Sequence, residues 1–316
     1  MKLIMTVTPN PALDTVTDVD QVVVGRKLRC AEPTLYPGGG GLNVSRALHE
    51  LGGESRAVWT CGGVTGETLS GLLGNAGIDH IPVEVGDSTR EHILVLDRSA
   101  DAFYRFGMPG PEITPDEADA VIRAVRDADP PPDYVVASGS LPRGDASDIY
   151  LELARVCAGR GSRMVLDTTA PELERVLEAE PVYLIKPNYH EFGELTGSED
   201  AEEEEIVSRA RALIEAGSIE IAVVTLGSAG SILVSAHEDH HVPAPTVRVK
   251  SRIGAGDSMV AGIVLGLARD RDVLDAVRYG SACAAAAVMV PGTELCGRED
   301  AERLYRHIAK SEDSGT

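Results

Sequence analysis

The chain has 316 residues, of which 43% are hydrophobic, and this composition supports the core of one large α/β domain. Its 50 acidic residues outnumber its 29 basic residues, which gives a formal net charge of −21. Nucleic acid and anionic membranes are therefore poor partners, because binding to either requires a basic surface.

The N-terminal sequence MKLIM leads directly into an apolar segment, so we expect no signal peptide and a cytoplasmic protein. The longest apolar run, residues 281–290, is too short to span a bilayer. The five cysteines are scattered and form no CxxC pair, which disfavours a disulfide framework and a zinc site.

Short apolar strands alternate with amphipathic helices along the chain. The predicted strands are residues 3–7, 56–60, 134–138, 163–167, 183–185 and 221–225. The predicted helices are residues 43–51, 66–76, 115–128, 146–158, 202–216 and 257–268. This alternation predicts a mostly parallel sheet with helices on both faces, in which ligands bind at the carboxyl ends of the strands.

Two segments, 15–36 and 93–106, alternate without an intervening helix and predict a small separate sheet. The basic residues in or beside them are Lys27, Arg29, Arg90 and Arg105. Each alone is compatible with a surface salt bridge. Together, on a lid, they would suit a phosphorylated substrate.

The sequence PGGGGLNVSRAL places four glycines directly before a predicted helix. Glycine allows a ligand to approach the exposed N–H groups of the helix start, although a flexible turn is the alternative. Asn43 in the first turn could bind a hydroxyl group. Asp14, in TPNPALD after the first strand, is either a loop residue or a ligand of sugar hydroxyls.

The sequence KPNYHE follows another predicted strand and is compatible with a helix cap formed by Asn188 and Glu191. The same residues could bind a metal–phosphate group through water, with Lys186 on a phosphate oxygen. TLGSAGS, residues 225–231, could wrap nucleotide phosphates or form a hairpin. We assign HEDHH (237–241) to a hairpin turn and EDAEEEE (199–205) to a solvated helix start rather than to metal sites.

The sequence RIGAGDSMVAG places Asp257 at the start of an apolar helix, after a Gly-Ala-Gly turn. Asp257 could cap this helix. It could also be a general base beside an anion-binding helix start. The local sequence leaves both roles open.

The chain resembles the PfkB (ribokinase-like) sugar kinases over essentially its whole length. The resemblance rests on PGGGGLNVSRALHELGG, KPNYHE and VKSRIGAGDSMVAG, which occur in the family's order. It implies a ribokinase-like three-layer α/β/α fold with a mostly parallel central sheet and a small inserted β-sheet lid. The expected kinase domain comprises residues 1–14, 37–88 and 107–312, the lid 15–36 and 89–106, and a disordered tail 313–316.

The same resemblance implies the catalytic and nucleotide-binding residues. Asp257 would be the general base, and the backbone N–H groups of Gly254, Ala255 and Gly256 would form the anion hole. Asn188 would organise Mg²⁺–ATP together with Glu191, which would reach the Mg²⁺ through water. The remaining nucleotide-binding residues implied are Lys186, Thr225 and Gly227.

Within the family, GRKLRC, FYRFGMPG, SGSLP and GTELC are most similar to the minor bacterial 6-phosphofructokinases. This implies ATP-dependent phosphorylation of fructose 6-phosphate to fructose 1,6-bisphosphate. The implied sugar-phosphate ligands are Asp14, Gly39, Gly40, Asn43, Arg90, Arg105 and Ser138. Lys27 would come from a neighbouring subunit, because these enzymes dimerise through the lid and associate further with MgATP.

A monovalent cation, K⁺, is also implied. Its ligands would be mainly backbone carbonyls near Ser251, Ile253, Ala287, Val290, Gly292 and Glu294. Glu294 replaces the arginine expected at its position, which leaves the ion preference open.

The 1-phosphofructokinases and tagatose-6-phosphate kinases share these motifs, and FYRFGMPG favours the 6-phosphate substrate over theirs. A catalytically silent sugar-phosphate-binding protein is disfavoured, because Asp257, Asn188 and Glu191 are all present.

Overall fold

A computed structural model of the protein describes residues 2–144, 148–198 and 201–313. The strands are β1 (Ile4–Thr8), β2 (Ala12–Val19), β3 (Thr34–Gly38), β4 (Arg56–Cys61), β5 (Asp79–Glu84), β6 (Arg90–Asp97), β7 (Ala102–Gly107), β8 (Glu112–Ile113), β9 (Tyr134–Ser138), β10 (Arg143–Gly144), β11 (Arg163–Asp167), β12 (Val182–Ile185), β13 (Ile219–Thr225), β14 (Ser231–Ser235) and β15 (Asp239–Val242). The helices are α1 (Gly40–Glu50), α2 (Gly63–Asn75), α3 (Pro115–Arg126), α4 (Ile149–Arg160), α5 (Ala170–Leu177), α6 (Tyr189–Thr196), α7 (Glu203–Glu215), α8 (Ala255–Ala268), α9 (Val273–Ala287) and α10 (Arg298–Asp313).

The central sheet has nine strands in the order β15-β14-β13-β12-β11-β9-β1-β4-β5. The strands from β13 to β5 are mutually parallel, while β14 and β15 add antiparallel strands at one edge. The connections between the parallel strands include helices, because parallel neighbours must be joined by a crossover. Their carboxyl ends therefore meet at one edge of the sheet.

Successive residues of each strand are buried on opposite faces of this sheet. Ile4 belongs to the core cluster that includes side chains of α1, α8, α9 and α10, whereas Met5 belongs to the cluster on the other face, which includes side chains of α3, α4 and α7. Val136 and Val135 divide in the same way. This period of two places helices on both faces and confirms the predicted three-layer α/β/α fold.

Four strands form a second, smaller sheet in the order β3-β2-β6-β7. The central pair, β2 and β6, is parallel, and the outer strands pair antiparallel. The small separate sheet predicted from the alternating segments is confirmed. Its strands run beyond 15–36 and 93–106, because β2 begins at Ala12 and β6 begins at Arg90.

The three remaining motif predictions have mixed outcomes. Residues 225–231 do form a hairpin, since β13 and β14 are antiparallel and are joined by a 3₁₀ turn at Gly227–Ala229. Of HEDHH, the first two residues lie in a turn and the last three lie in β15. Glu202 and the following acids begin α7 as predicted, while residues 199–200 and 146–147 lie outside the described residues.

Helix length and hydropathy bear on the membrane question. Within residues 2–144, 148–198 and 201–313, no helix is long and apolar enough to cross a bilayer.

Candidate active site

The glycine-rich start of α1 packs directly against the carboxyl end of β9. A Cβ atom on Gly40 would lie 2.2 Å from Ser138 Oγ and 2.8 Å from the amide nitrogen of Gly139. The preceding Gly39 has a φ of 113°, a conformation that favours glycine. The glycines thus permit a contact between two backbones that any side chain at Gly40 would prevent.

Asp257 lies in the first turn of α8 but does not cap this helix. The N-cap is Gly254, in the left-handed conformation with a φ of 74°, and no side chain caps this helix end. Of the two roles that the sequence leaves open, capping is therefore excluded. The backbone N–H groups of the first turn are free to bind an anion, at the positive end of the helix dipole.

A hydrogen-bonded chain connects Asp257 to the glycine-rich helix. Asn43 donates from Nδ2 to Asp257 Oδ2 at 2.9 Å. Arg46, one turn later in α1, donates to Asn43 Oδ1 at 3.1 Å and to the carbonyl of Pro37 at 2.7 Å. Because a guanidinium can only donate, Arg46 fixes the orientation of the Asn43 amide and directs its NH₂ group to the carboxylate.

Burial raises the pKa of Asp257 to about 6, and the negative charge of Asp167 adds to this effect. The hydrogen bond from Asn43 and the charges of Lys186 and Arg46 oppose the shift. Desolvation prevails because it penalises the ionised carboxylate more than these partners stabilise it. The result is a carboxylate that is ionised at neutral pH and basic enough to accept a proton.

Lys186 is buried beside the start of α8 and is paired with Asp167. Its Nζ lies 3.1 Å from Asp167 Oδ1, and a Cβ on Gly256 would lie 3.5 Å from the same nitrogen. Burial lowers the pKa of Lys186, but Asp167, Glu191 and Asp257 together outweigh burial and the net shift is upward. Asp167 also accepts a hydrogen bond from Ser138 Oγ at 3.4 Å. Lys186 therefore stays charged next to the N–H groups of α8.

A cavity of about 610 Å³ opens on the other side of the α8 start. Its lining includes Thr225, Gly227, Arg252, Ala255, Gly256 and Ser281. Ala255 and Gly256 are shared between this cavity and the helix start, so a molecule in the cavity reaches the anion-binding N–H groups. The volume lies within the range of ligand pockets, and the apolar wall suits a planar base.

Asn188 and Glu191 form a reciprocal helix cap at the start of α6. Asn188 Oδ1 accepts from the Glu191 N–H at 3.0 Å, and Glu191 Oε2 accepts from the Asn188 N–H at 2.8 Å. The capping role allowed by the sequence is therefore real. It uses only one carboxylate oxygen of Glu191, so Oε1 is left for a water bound to a cation. Burial raises the pKa of Glu191.

The strands of the small sheet bring three further predicted residues together. Asp14 is buried on β2, with Oδ1 3.1 Å from Nδ1 of His92, and Nη2 of Arg105 lies 3.2 Å from the same ring nitrogen. Arg90 donates to the carbonyl of Asn10 at 2.9 Å. Burial lowers the pKa of Arg90, and the nearby positive charge of Arg105 lowers it further. These two arginines therefore form a cationic pair near Asp14.

Lys27 does not lie with these predicted residues. It lies exposed in the connection between β2 and β3, and within the part of the chain described it makes none of the hydrogen bonds that join the other residues. A single chain therefore does not bring Lys27 to the site.

The segments predicted to bind a monovalent cation do meet behind the α8 start. Ser251 donates from Oγ to the carbonyl of Gly292 at 2.8 Å, and the N–H of Val290 approaches the carbonyl of Ala287 at 3.4 Å. Each carbonyl retains a second lone pair for an ion. Thr293 Oγ1 is buried in the same loop and finds no partner within the described ranges. The loop thus offers carbonyl oxygens that can coordinate an ion and a hydroxyl group without a hydrogen-bond partner. Both features fit a cation.

Three residues of the site were not predicted from the sequence: Arg46, His92 and Asp167. Asp167 is the last residue of a predicted strand, so the rule that ligands bind at carboxyl ends could have indicated it. His92 lies two residues after Arg90 and on the same face of β6, which is the signal that could have identified it. Arg46 follows Asn43 by one helical turn.

Comparisons with known proteins agree with this geometry. A family model described as pfkB family carbohydrate kinase matches residues 8–300. ATP-dependent 6-phosphofructokinase isozyme 2 of Mycobacterium tuberculosis is 40% identical over 312 residues, covering 99% of this chain and 91% of that protein. 1-Phosphofructokinase of Bacillus subtilis is 32% identical over 278 residues, covering 88% of this chain and 90% of that protein.

Solved structures of phosphofructokinase-2 from Escherichia coli are also similar. The complex with potassium has a TM-score of 0.93 at 33% identity, covering 98% of this chain and 100% of that one. The complex with fructose-6-phosphate has a TM-score of 0.91 at 33% identity, with the same coverage. The tetrameric inhibited form has a TM-score of 0.91 at 32% identity, again with the same coverage.

Proposed function

The chain belongs to the pfkB family of carbohydrate kinases, and we propose that it transfers the γ-phosphoryl group of ATP to fructose 6-phosphate, forming fructose 1,6-bisphosphate. One observation carries the proposal most directly. Asp257 combines a pKa of about 6 with a position among the unpaired N–H groups of the α8 start. A base beside an anion-binding helix start is the arrangement that phosphoryl transfer to an alcohol requires.

In this mechanism Asp257 accepts the proton of the attacking sugar hydroxyl. Asn43 holds the carboxylate by its 2.9 Å hydrogen bond and thereby directs the free oxygen, Oδ1, toward the acceptor. The N–H groups of Gly254, Ala255 and Gly256 stabilise the charge on the transferring phosphoryl group, and Lys186 contributes a positive charge from the side. The residues mainly align the reactants and neutralise charge, which is most of what this reaction needs.

ATP would occupy the 610 Å³ cavity, with Thr225 and Gly227 along its phosphates. Asn188 and Glu191 fit the role of organising Mg²⁺, because the free carboxylate oxygen Oε1 of Glu191 can bind a water of the ion. When bound with ATP, Mg²⁺ neutralises phosphate charge during transfer. The loop containing Gly292 and Thr293 would bind K⁺ and so support the α8 start through Ser251.

The sugar phosphate would lie between the lid and the glycine-rich helix. Asp14, Asn43 and Ser138 would bind hydroxyl groups, Gly39 and Gly40 would allow close approach, and Arg90 and Arg105 would bind the 6-phosphate. Residues 15–36 and 89–106 act as the lid in this proposal.

A second copy of the chain would complete this site. Lys27 is exposed and separate from the other ligands, and several large apolar side chains in the lid or directly after it are also exposed: Leu35, Tyr104, Phe106 and Met108. We therefore place the dimer interface at the lid, with Lys27 reaching the partner's phosphate site. Association into tetramers with MgATP and a cytoplasmic location remain predictions.

The choice of acceptor is tested by comparing kcat/KM for fructose 6-phosphate, fructose 1-phosphate and tagatose 6-phosphate with Mg²⁺–ATP and K⁺. Phosphorus NMR identifies each product. We expect a clear preference for fructose 6-phosphate, since Arg90 and Arg105 form the anion site beside the lid. A preference for fructose 1-phosphate would support the alternative 1-phosphofructokinase function, and binding without ATP consumption would support a silent binding protein.

A further inference from the structure

Two partners compete for one nitrogen atom of His92. The ring is only 7% exposed, on β6 directly opposite Asp14 of β2. Its Nδ1 lies 3.1 Å from Asp14 Oδ1 and 3.2 Å from Arg105 Nη2. A guanidinium only donates and an ionised carboxylate only accepts. Without a proton, Nδ1 satisfies Arg105 alone, and with a proton it satisfies Asp14 alone, so one contact is always mismatched.

The packing around His92 and Asp14 holds these two side chains in place. The Asp14 carboxylate is packed against Gly38, where a Cβ would lie 2.7 Å from the carboxyl carbon. On the neighbouring strand β7, Gly107 is paired with His92. A Cβ on Gly107 would lie 3.8 Å from His92 Nε2, so the backbone of β7 lies close to that side of the ring. Arg105, by contrast, is exposed at the surface of the lid. Of the two partners, Arg105 is therefore the one that is free to leave.

We propose that His92 is a positioning residue that exchanges Arg105 for Asp14 when the sugar phosphate binds. The inference rests on the proposed function, because it takes Arg105 as a ligand of the substrate phosphate. A phosphate offers a guanidinium charge-assisted, bidentate hydrogen bonds, which are stronger than a bond to a neutral ring nitrogen. Arg105 therefore leaves Nδ1 for the phosphate.

Nδ1 then gains a proton, which moves from Nε2 through water, so the ring changes tautomer without a change of charge. The new Nδ1–H donates to Asp14 Oδ1 and fixes the carboxylate. Oδ2 stays available to accept from a sugar hydroxyl. Binding of the phosphate at one end of the substrate thus orders the group that holds a hydroxyl at the other end.

The tautomer is observed directly in the protein labelled with ¹⁵N-histidine, by ¹H–¹⁵N NMR of the imidazole nitrogens. The His92 signals are assigned by their loss in His92→Asn. We expect Nδ1 to have the shift of an unprotonated nitrogen in the free protein and that of a protonated nitrogen with saturating fructose 6-phosphate. An unchanged Nδ1 shift in a protein that has bound the sugar phosphate would overturn the inference.

Kinetics provide an independent readout. His92→Leu should raise KM for fructose 6-phosphate about tenfold or more, since it loses a hydrogen bond to a charged group, with kcat and the KM for ATP little changed. His92→Asn should restore most of the loss, because its amide can rotate to donate or accept near the position of Nδ1. His240→Asn, a control at a partly exposed histidine on β15, should change neither constant.

The outcomes separate this inference from the proposed function. If the wild-type enzyme phosphorylates fructose 6-phosphate but His92→Leu keeps the wild-type KM, or if His92→Asn is equally impaired, the positioning role of His92 is wrong. If the wild-type enzyme neither binds nor phosphorylates fructose 6-phosphate, the proposed function itself fails, and this inference fails with it.

Discussion

Replacing Asp257 by asparagine should stabilise the folded protein at pH 8. The folded environment raises the pKa of this carboxyl from 3.8 to about 6, mainly through burial and then through Asp167. At pH 8 the carboxylate is ionised in both the folded and the unfolded chain, so folding carries the full cost of placing its charge in this site. An asparagine of nearly the same shape avoids that cost, and its side-chain oxygen can still accept the hydrogen bond from Asn43.

The magnitude follows from the pKa shift. A shift of about 2 pKa units corresponds to about 3 kcal/mol at 1.36 kcal/mol per unit, and partial exposure of Asp257 to the cleft lowers the expected gain to about 1–3 kcal/mol. This gain in stability arises only where the Asp257 carboxyl of the wild-type protein is ionised. It should shrink as the pH falls through about 6, where the folded carboxyl takes up a proton, and vanish below about 4, where both states are protonated.

Urea unfolding of wild type and Asp257→Asn at pH 8 and at about pH 4.5 measures this difference. Asp116→Asn is the matched control, since Asp116 is an exposed acid in the first turn of α3 and its loss should destabilise by up to about 1 kcal/mol. The reasoning is refuted if Asp257→Asn is no more stable than wild type at pH 8, or if its advantage is the same at both pH values.

Three further perturbations test other parts of the site. Gly40→Ala places a Cβ 2.2 Å from Ser138 Oγ. Urea unfolding should therefore show a loss of about 1–3 kcal/mol in the free energy of unfolding, and kinase assays should show a loss of activity. Gly71→Ala lies in α2, where the new Cβ meets no neighbouring element within 4 Å, so it should preserve activity and keep or raise stability by up to about 1 kcal/mol. Equal losses in the two variants would contradict the packing argument. Lys186→Met should weaken ATP binding about tenfold or more in calorimetry while fructose 6-phosphate still binds; unchanged ATP affinity would exclude a phosphate-binding role. Replacement of K⁺ by tetramethylammonium should lower kcat reversibly, and full activity without K⁺ would reject the cation site at Gly292.

Much of the fold could be predicted because its signals are local. The bounds of β9 and β11 match the prediction, since each is a short apolar run ended by polar residues. The edge strand β5 was missed because it contains Pro82 and is only partly buried. Helix α9 was missed because its alanines and other small residues give little amphipathic pattern, since most of its residues are buried against neighbouring elements. Helix α1 begins three residues before the predicted start, since glycines carry no helical signal.

The residues of the site also differ in whether local sequence signals indicate their roles. Asp257, Asn43 and Lys186 could be predicted because glycine runs and strand ends mark their positions. The positions of His92 and Asp167 carry sequence signals that were not used, but their roles could not be predicted, because these arise from contacts between distant parts of the chain: His92 contacts Asp14 across 78 residues. The role of Asn43 in holding Asp257 spans 214 residues and likewise needs the folded chain.

The central claim is that the Asp257 carboxylate takes the proton from the sugar hydroxyl during phosphoryl transfer. A single-turnover experiment tests it most directly, with enzyme in excess over fructose 6-phosphate, saturating Mg²⁺–ATP and rapid quenching. We predict that Asp257→Asn binds both substrates as wild type does but forms fructose 1,6-bisphosphate about 10²–10⁴-fold more slowly. Formation of the bisphosphate by Asp257→Asn at the wild-type rate would contradict the claim.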